Sequence, residues 1–264
     1  MGRTLLRLYA YLMTAVFFLP IAVTVPTAVT TTGYVTFPPV GFTLKWFHAA
    51  FADRILMDAL GRSVTLALIS SVVSVGVAFL AAFAVERNTF RGRDVIETFF
   101  MGPKMVPQII LVLGLLVFYE SAGLAETAVG LLMAHVIISL PFAFRALLAT
   151  IGAIDRRLEW SAEILGASRV QVLTRIILPQ VKTGAYAAFI FAFMASFTNV
   201  TMALFLAAVG RKTLPVEMFH RMHVGGMSPT LPALAFVLAL VGIGVFIVAD
   251  RTVGIYKYLG GAGH

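Results

Sequence analysis

Four polar residues interrupt long apolar runs of this chain. Lys104 stands between Pro103 and Pro107, Gln108 follows the second proline, and Thr198 and Asn199 sit together near the end of another run. Polar groups inside such segments are costly and are functional candidates by default. The chemistry they offer is recognition, through hydrogen bonds and one positive charge. The two prolines make the helix around Lys104 irregular, with freed carbonyls that need partners. No carboxylate lies at comparable depth in these two runs, so charge complementarity favours a neutral, zwitterionic or anionic solute, such as a small carboxylate or phosphonate. Structural roles are open for the same residues. Lys104 can pair with Glu97, seven positions earlier on one helical face, or extend its stem into a water-filled cavity. Thr198 and Asn199 can make interhelical hydrogen bonds, and His135 reads as a hydrogen-bonded bundle residue.

A second group of residues lies in a charged, amphipathic stretch, L-E-W-S-A-E-I-L-G-A-S-R-V-Q-V-L-T-R-I-I-L-P from Leu158 to Pro179. Asp155 is a good N-cap for a short helix over 155–165. Gly166 then allows a break or a close approach. A second helical stretch covers 168–177, and Pro179 is expected to stop it. The apolar residues Leu158, Ile164, Leu165, Val172 and Ile176 are expected to rest on the rest of the chain, with the polar face turned to a partner. An ordinary interfacial helix capping a bundle has the same periodicity.

Bond-making chemistry is not indicated. There is no cysteine, no H-E-x-x-H pattern and no Walker A glycine loop. The chain is therefore expected to be no enzyme and to hold no cofactor or metal. His220 and His223 are three apart, a weak metal pattern that reads more simply as a solvated segment.

The elements that carry these residues follow from composition. Of 264 residues, 60% are hydrophobic and 12% charged, against roughly 25% charged in a soluble domain. A spanning helix needs about 20 apolar residues. Six runs qualify, at about 8–29, 64–85, 95–118, 128–148, 184–207 and 231–249, too long and unbroken for a β-barrel. The first has the basic start of a secretory signal but is long for one. The Phe-rich stretch Phe189, Phe191, Phe193 and Phe197 reads as packing and lipid contact. Gly242 and Gly244 read as points of close helix approach. The chain is expected to be all-α, a single transmembrane domain over 1–264 with a loop at about 150–182.

The net charge of +8 is read through the positive-inside rule rather than as nucleic-acid affinity. With the N-terminus inside, thirteen of the twenty basic residues fall on the cytoplasmic side, including Arg3, Arg7, Arg87, Arg145 and Lys257, and six fall outside. Both termini are then cytoplasmic, the 150–182 loop is cytoplasmic, and the long loop at about 30–63 is external.

The loop resembles the signature of binding-protein-dependent ABC importer permeases: E-A-A, three residues, G, nine residues, I-x-L-P. Gly166, Ile176, Leu178 and Pro179 fall in register, Ala167 is typical, and Ser161 and Ala162 occupy the alanine positions. The glutamate position holds Trp160, with Glu159 one residue earlier. The resemblance extends to the spermidine/putrescine-type branch through Gly41-Phe42-Thr43-Leu44-Lys45-Trp46, Phe90-Arg91-Gly92, 135–141, Leu214-Pro215 and Ser228-Pro229. It implies a type I importer permease of the bacterial inner membrane, with Glu159, Trp160, Ser161, Ala162, Leu165, Gly166 and Ala167 forming the coupling helix that meets an ATPase. It also implies a second permease, two ATPase subunits that bind ATP and Mg, and a periplasmic binding protein as partners. Polyamine permeases often carry acidic residues near Thr198 and Asn199, and this chain does not. A secondary transporter or channel working without an ATPase is the alternative.

Overall fold

The computed structural model describes residues 2–208 and 210–253, and these residues are predominantly helical, with no strand among them. The expected role of Lys257 on the inner side lies outside the described residues, as does the side chain of Arg3. The helices are α1 (Gly2–Ala28), α2 (Lys45–Ala52), α3 (Arg54–Arg87), α4 (Arg93–Met105), α5 (Gln108–Ala122), α6 (Ala128–Gly152), α7 (Arg156–Ile164), α8 (Arg169–Val172), α9 (Leu178–Phe197), α10 (Thr201–Leu206), α11 (Leu214–Val224) and α12 (Thr230–Val253). Five are long and apolar enough to cross a membrane, and six if the bent pair α4–α5 counts as one span.

That pair departs from the expected third span. α4 and α5 meet at 104°. Pro103 lies inside α4, and the break falls at Val106, whose backbone is extended. A residue before proline is pushed out of the helical region by the proline ring, so Pro107 sets the position of the bend. The fifth span, Arg169–Phe197, begins and ends earlier than expected. α9 ends at Phe197, and α10 begins only at Thr201, so Thr198 and Asn199 form a joint rather than the middle of a helix. The second span is longer than expected, because α3 begins at Arg54 within what reads as an external loop.

Contacts group the described chain into two compact units. One holds residues 2–59 and 217–245. In it, Trp46 Nε1 donates to the Thr30 carbonyl at 2.7 Å, and Phe47 meets Phe236 edge-on. Arg221 forms a fork on Asp53 at 2.5 and 3.1 Å and also donates to Glu217 at 2.8 Å. The Asp53 carboxyl is held below its ordinary range, chiefly by the Arg221 hydrogen bonds. Gly242 and Gly244 face open space in this structure. Neither makes a close helix approach among the described residues of this chain.

The other unit holds residues 60–216 and 246–253. Its core joins Ala78, Ala82 and Val85 of α3, Phe144, Leu147 and Ile151 of α6, and Val181, Ala188 and Ala192 of α9. α6 and α9 pack most intimately, and the reason is Gly184. A β-carbon there would collide with the Thr150 side chain, so only glycine permits this approach. A buried polar thread crosses the same interface. Ser70 donates to Ser196 at 3.0 Å, and Ser196 meets His135 Nδ1 at 2.8 Å. His135 is thus a hydrogen-bonded bundle residue, as expected from sequence. α5, α6 and α10 enclose a second cluster around Val112, Tyr119, Ile138 and Met202.

Candidate functional site

The 150–182 loop is built by local backbone chemistry. Asp155 caps α7 by accepting from Arg157 N at 2.9 Å. At the other end, Gly166 N donates to the Glu163 carbonyl and Ala167 N to the Ala162 carbonyl, both at 2.9 Å. This is the paired-bond helix terminus that requires a left-handed residue, and Gly166 has φ +89°. Ser168 and Gln171 then form a reciprocal capping box that starts α8.

Pro179 does not stop the helix. α8 runs through a π-helical turn, Leu173–Ile177, directly into α9, so Arg169–Phe197 is one 29-residue helix. Leu178 N donates to the Leu173 carbonyl, five residues back. The wider turn accommodates the proline, whose ring would clash with the carbonyl four residues back in a regular helix.

The faces of the loop are also partly reversed. Ala162, Ala167, Val172 and Ile177 face the core. Ile164 and Leu165, expected to rest against the rest of the chain, are instead 85% and 87% exposed, and Trp160 is 58% exposed. Leu158 is about half exposed, and Ile176 is partly buried. The tip of the loop is therefore an apolar knob.

Glu159 does not project with that knob. Its Oε1 lies 2.7 Å from Arg87 Nε at the end of α3, with side-chain exposures of 14% and 7%. The two atoms are not aligned as a hydrogen bond, so charge holds the contact. Arg87 also donates to the Ile154 carbonyl at 3.3 Å, and Arg156 donates to the Glu86 carbonyl. Arg87, read from sequence only as a topological charge, is thus a loop anchor. Nothing in a linear sequence pairs it with Glu159.

The four candidate solute residues come together. Lys104, Gln108, Thr198 and Asn199 line one cleft of about 390 Å³ with Pro103, Val106, Ile138, Phe142 and Ala195. The α4–α5 bend and the α9–α10 joint place them there. Thr198 Oγ1 donates to the Met194 carbonyl, and Asn199 Oδ1 accepts from Met202 N. Both bonds are local helix-end bonds, not interhelical ones. The Lys104 ammonium sits 4.1 Å from the Phe142 ring centre rather than on Glu97. His223 Nδ1 approaches the Phe219 carbonyl within its own helix. No cluster of His, Asp or Glu that could hold a metal occurs among the described residues.

The described residues thus form five or six candidate membrane spans, with a structured, apolar-tipped loop between two of them. Residues 74–256 match the family described as the binding-protein-dependent transport system inner membrane component, and the chain belongs to that family. It is 28% identical over 84% of each chain to the spermidine/putrescine transport system permease protein PotC of Escherichia coli K12. It is 34% identical to the trehalose/maltose transport system permease protein MalG of Thermococcus litoralis, over 62% of this chain and 60% of that one. Among solved structures, it resembles a bacterial alginate ABC transporter in complex with its alginate pentasaccharide-bound periplasmic protein. The TM-score is 0.68 at 18% identity, over 100% of this chain and 98% of that one. A second likeness, to a bacterial ABC transporter that imports the acidic polysaccharide alginate, has a TM-score of 0.63 at 16% identity over 96% of each chain. The chain is an ABC importer permease with polyamine-type relatives, a multi-pass membrane protein.

Proposed function

We propose that this permease forms half of the translocation pathway for a small zwitterionic or anionic solute delivered by a periplasmic binding protein. A second permease supplies the other half. Two ATPase subunits bind ATP and Mg²⁺, and this chain itself binds neither. The observation that carries the reading is the loop between α6 and α9. Its knob of Trp160, Ile164 and Leu165 is exposed, while Ala162 and Ala167 hold its other face to the core. Exposed apolar surface of this kind marks a protein-binding site. Glu159, Ser161 and Gly166 shape and anchor the knob rather than forming its contact face.

In this reading the loop is cytoplasmic, as are both termini, and the ATPase receives the knob. Closure of the ATPase dimer moves the loop, and the α6–α9 pair carries that motion to the cleft at Lys104, Gln108, Thr198 and Asn199 as rigid-body displacement. The external segments at 30–63 and 210–229 receive the loaded binding protein. The relatives carry names with different solutes, among them polyamines and disaccharides. The cleft's one cation and lack of any carboxylate support a solute with negative charge.

The test is a mild-detergent pull-down from native membranes with identification of the copurifying chains. Recovery of an ATPase, a second permease and a periplasmic binding protein supports the reading. A functional homo-oligomer alone would replace it with a channel or secondary transporter.

A further inference from the structure

Lys104 and Phe142 line a second cleft as well, also of about 390 Å³. It is walled by Met101, Ala146, Ala149, Thr150, Ala187 and Phe191. Its other charged residue is Arg145, on α6 one turn beyond Phe142, exposed and with no acidic residue among the lining. We propose that Arg145 is a second anion-binding station. A solute carrying a carboxylate, phosphate or phosphonate group passes to it from Lys104 across the Phe142 ring. This deepens the proposed permease role and rests on it.

Three observations carry the assignment. The two clefts share Lys104 and Phe142, so a group bound at one is adjacent to the other. The Lys104 ammonium rests on an aromatic face rather than on a carboxylate, a contact that an incoming anion can displace. Arg145 supplies the planar fork that matches carboxylate and phosphonate oxygens, whereas Lys104 supplies a point charge. The largely apolar walls suit a compact solute that carries a negative group. A cationic solute would meet two like charges and no counter-charge.

The experiment uses the full chain in lipid nanodiscs, with or without copurified partners. It compares labelling of Lys104 by pyridoxal 5′-phosphate and by pyridoxal, each trapped with borohydride and located by peptide mass spectrometry. The two aldehydes differ only in the phosphate, and Lys182 serves as the internal reference. Lys104 should label about tenfold faster with the phosphate form, relative to Lys182, as expected for one charge-assisted contact. Arg145→Gln should remove that advantage, and Arg145→Lys should keep most of it.

Succinate should protect Lys104 from the phosphate reagent, and putrescine should not. Equal labelling by both reagents, an advantage that survives Arg145→Gln, or no labelling of Lys104 by either overturns the proposal. Protection by phosphatidylglycerol in the disc but not by free succinate assigns Arg145 to a lipid headgroup and also overturns it. Because the chain alone suffices, this outcome is separate from failure of the pull-down.

Discussion

Arg87 Nε and Glu159 Oε1 lie 2.7 Å apart, and the contact ties the end of α3 to the α7 loop. Removing one member of a largely buried ion pair leaves the other charge unpaired, at a cost of about 3 kcal/mol. Glu159→Gln and Arg87→Met should each lower solute-stimulated ATP hydrolysis several-fold in the assembled transporter while the chain still inserts. The exchange Arg87→Glu with Glu159→Arg should recover part of it. Full coupling in the single variants would show that the ion pair does not hold the loop.

At Gly166 the penalty is conformational. A β-carbon there meets nothing within 4 Å, but φ is +89°. A β-branched residue in that region is strained by about 1–3 kcal/mol. Gly166→Val should therefore uncouple or disassemble the complex, and Gly166→Asn should be milder. Normal solute-stimulated ATPase activity in Gly166→Val removes this residue from the coupling role.

Gly184 presents the opposite case, since its backbone is helical and the obstruction is the Thr150 side chain. Gly184→Val should force α6 and α9 apart and lower the thermal midpoint of the detergent-solubilised protein by several degrees, as expected for about 1–3 kcal/mol of overpacking. Adding Thr150→Ala should restore part of the loss. An unchanged midpoint would mean that the interface yields without cost.

The Arg221 fork on Asp53 gives an acid-dependent contribution. Its hydrogen bonds are the largest cause lowering the Asp53 carboxyl below its ordinary value. A carboxyl depressed in the folded state stabilises fully above its unfolded value and loses that contribution as pH falls through the folded value. The stability difference between wild type and Asp53→Asn should therefore be full at neutral pH and shrink below about pH 4. Thermal melts across pH 3 to 7, about the range of carboxylate titration, check this, and a constant difference would contradict it.

Reversing the charge at Lys104 tests the solute cleft. Lys104→Glu should weaken uptake of an anionic solute at least about tenfold, since attraction at close range becomes repulsion. Radiolabelled uptake by proteoliposomes with the binding protein supplied reads this out. Unchanged uptake would take Lys104 off the pathway.

The loop was legible wherever a residue acts on its own backbone. Asp155 and Gly166 cap or break helices through bonds within a few positions, so their roles follow from local order. Lys104, Gln108, Thr198 and Asn199 were legible as polar residues in apolar runs, and the fold gathers them because Pro107 and the α9–α10 joint open the backbone at one place. Contacts between distant segments were not legible. Gly184 against Thr150 and Arg87 against Glu159 depend on how helices meet, and glycine or arginine alone does not specify a partner. Pro179 misled for a related reason. The rule that proline ends a helix assumes a regular turn before it, and the π turn at Leu173–Ile177 removes that assumption. Ile164 and Leu165 misled because apolar residues are expected to be covered by their own chain, and these two are not.

In the proposed coupling role, the continuous helix from Arg169 to Phe197 would make the loop one end of a lever. At 1.5 Å per residue, its 29 residues reach about 43 Å. A tilt of about 5° pivoting at the loop end would sweep the far end sideways by roughly 4 Å, from the length alone. Thr198 and Asn199 sit immediately beyond that far end. Had Pro179 ended the helix, the same tilt would have been lost in a flexible elbow beside the loop.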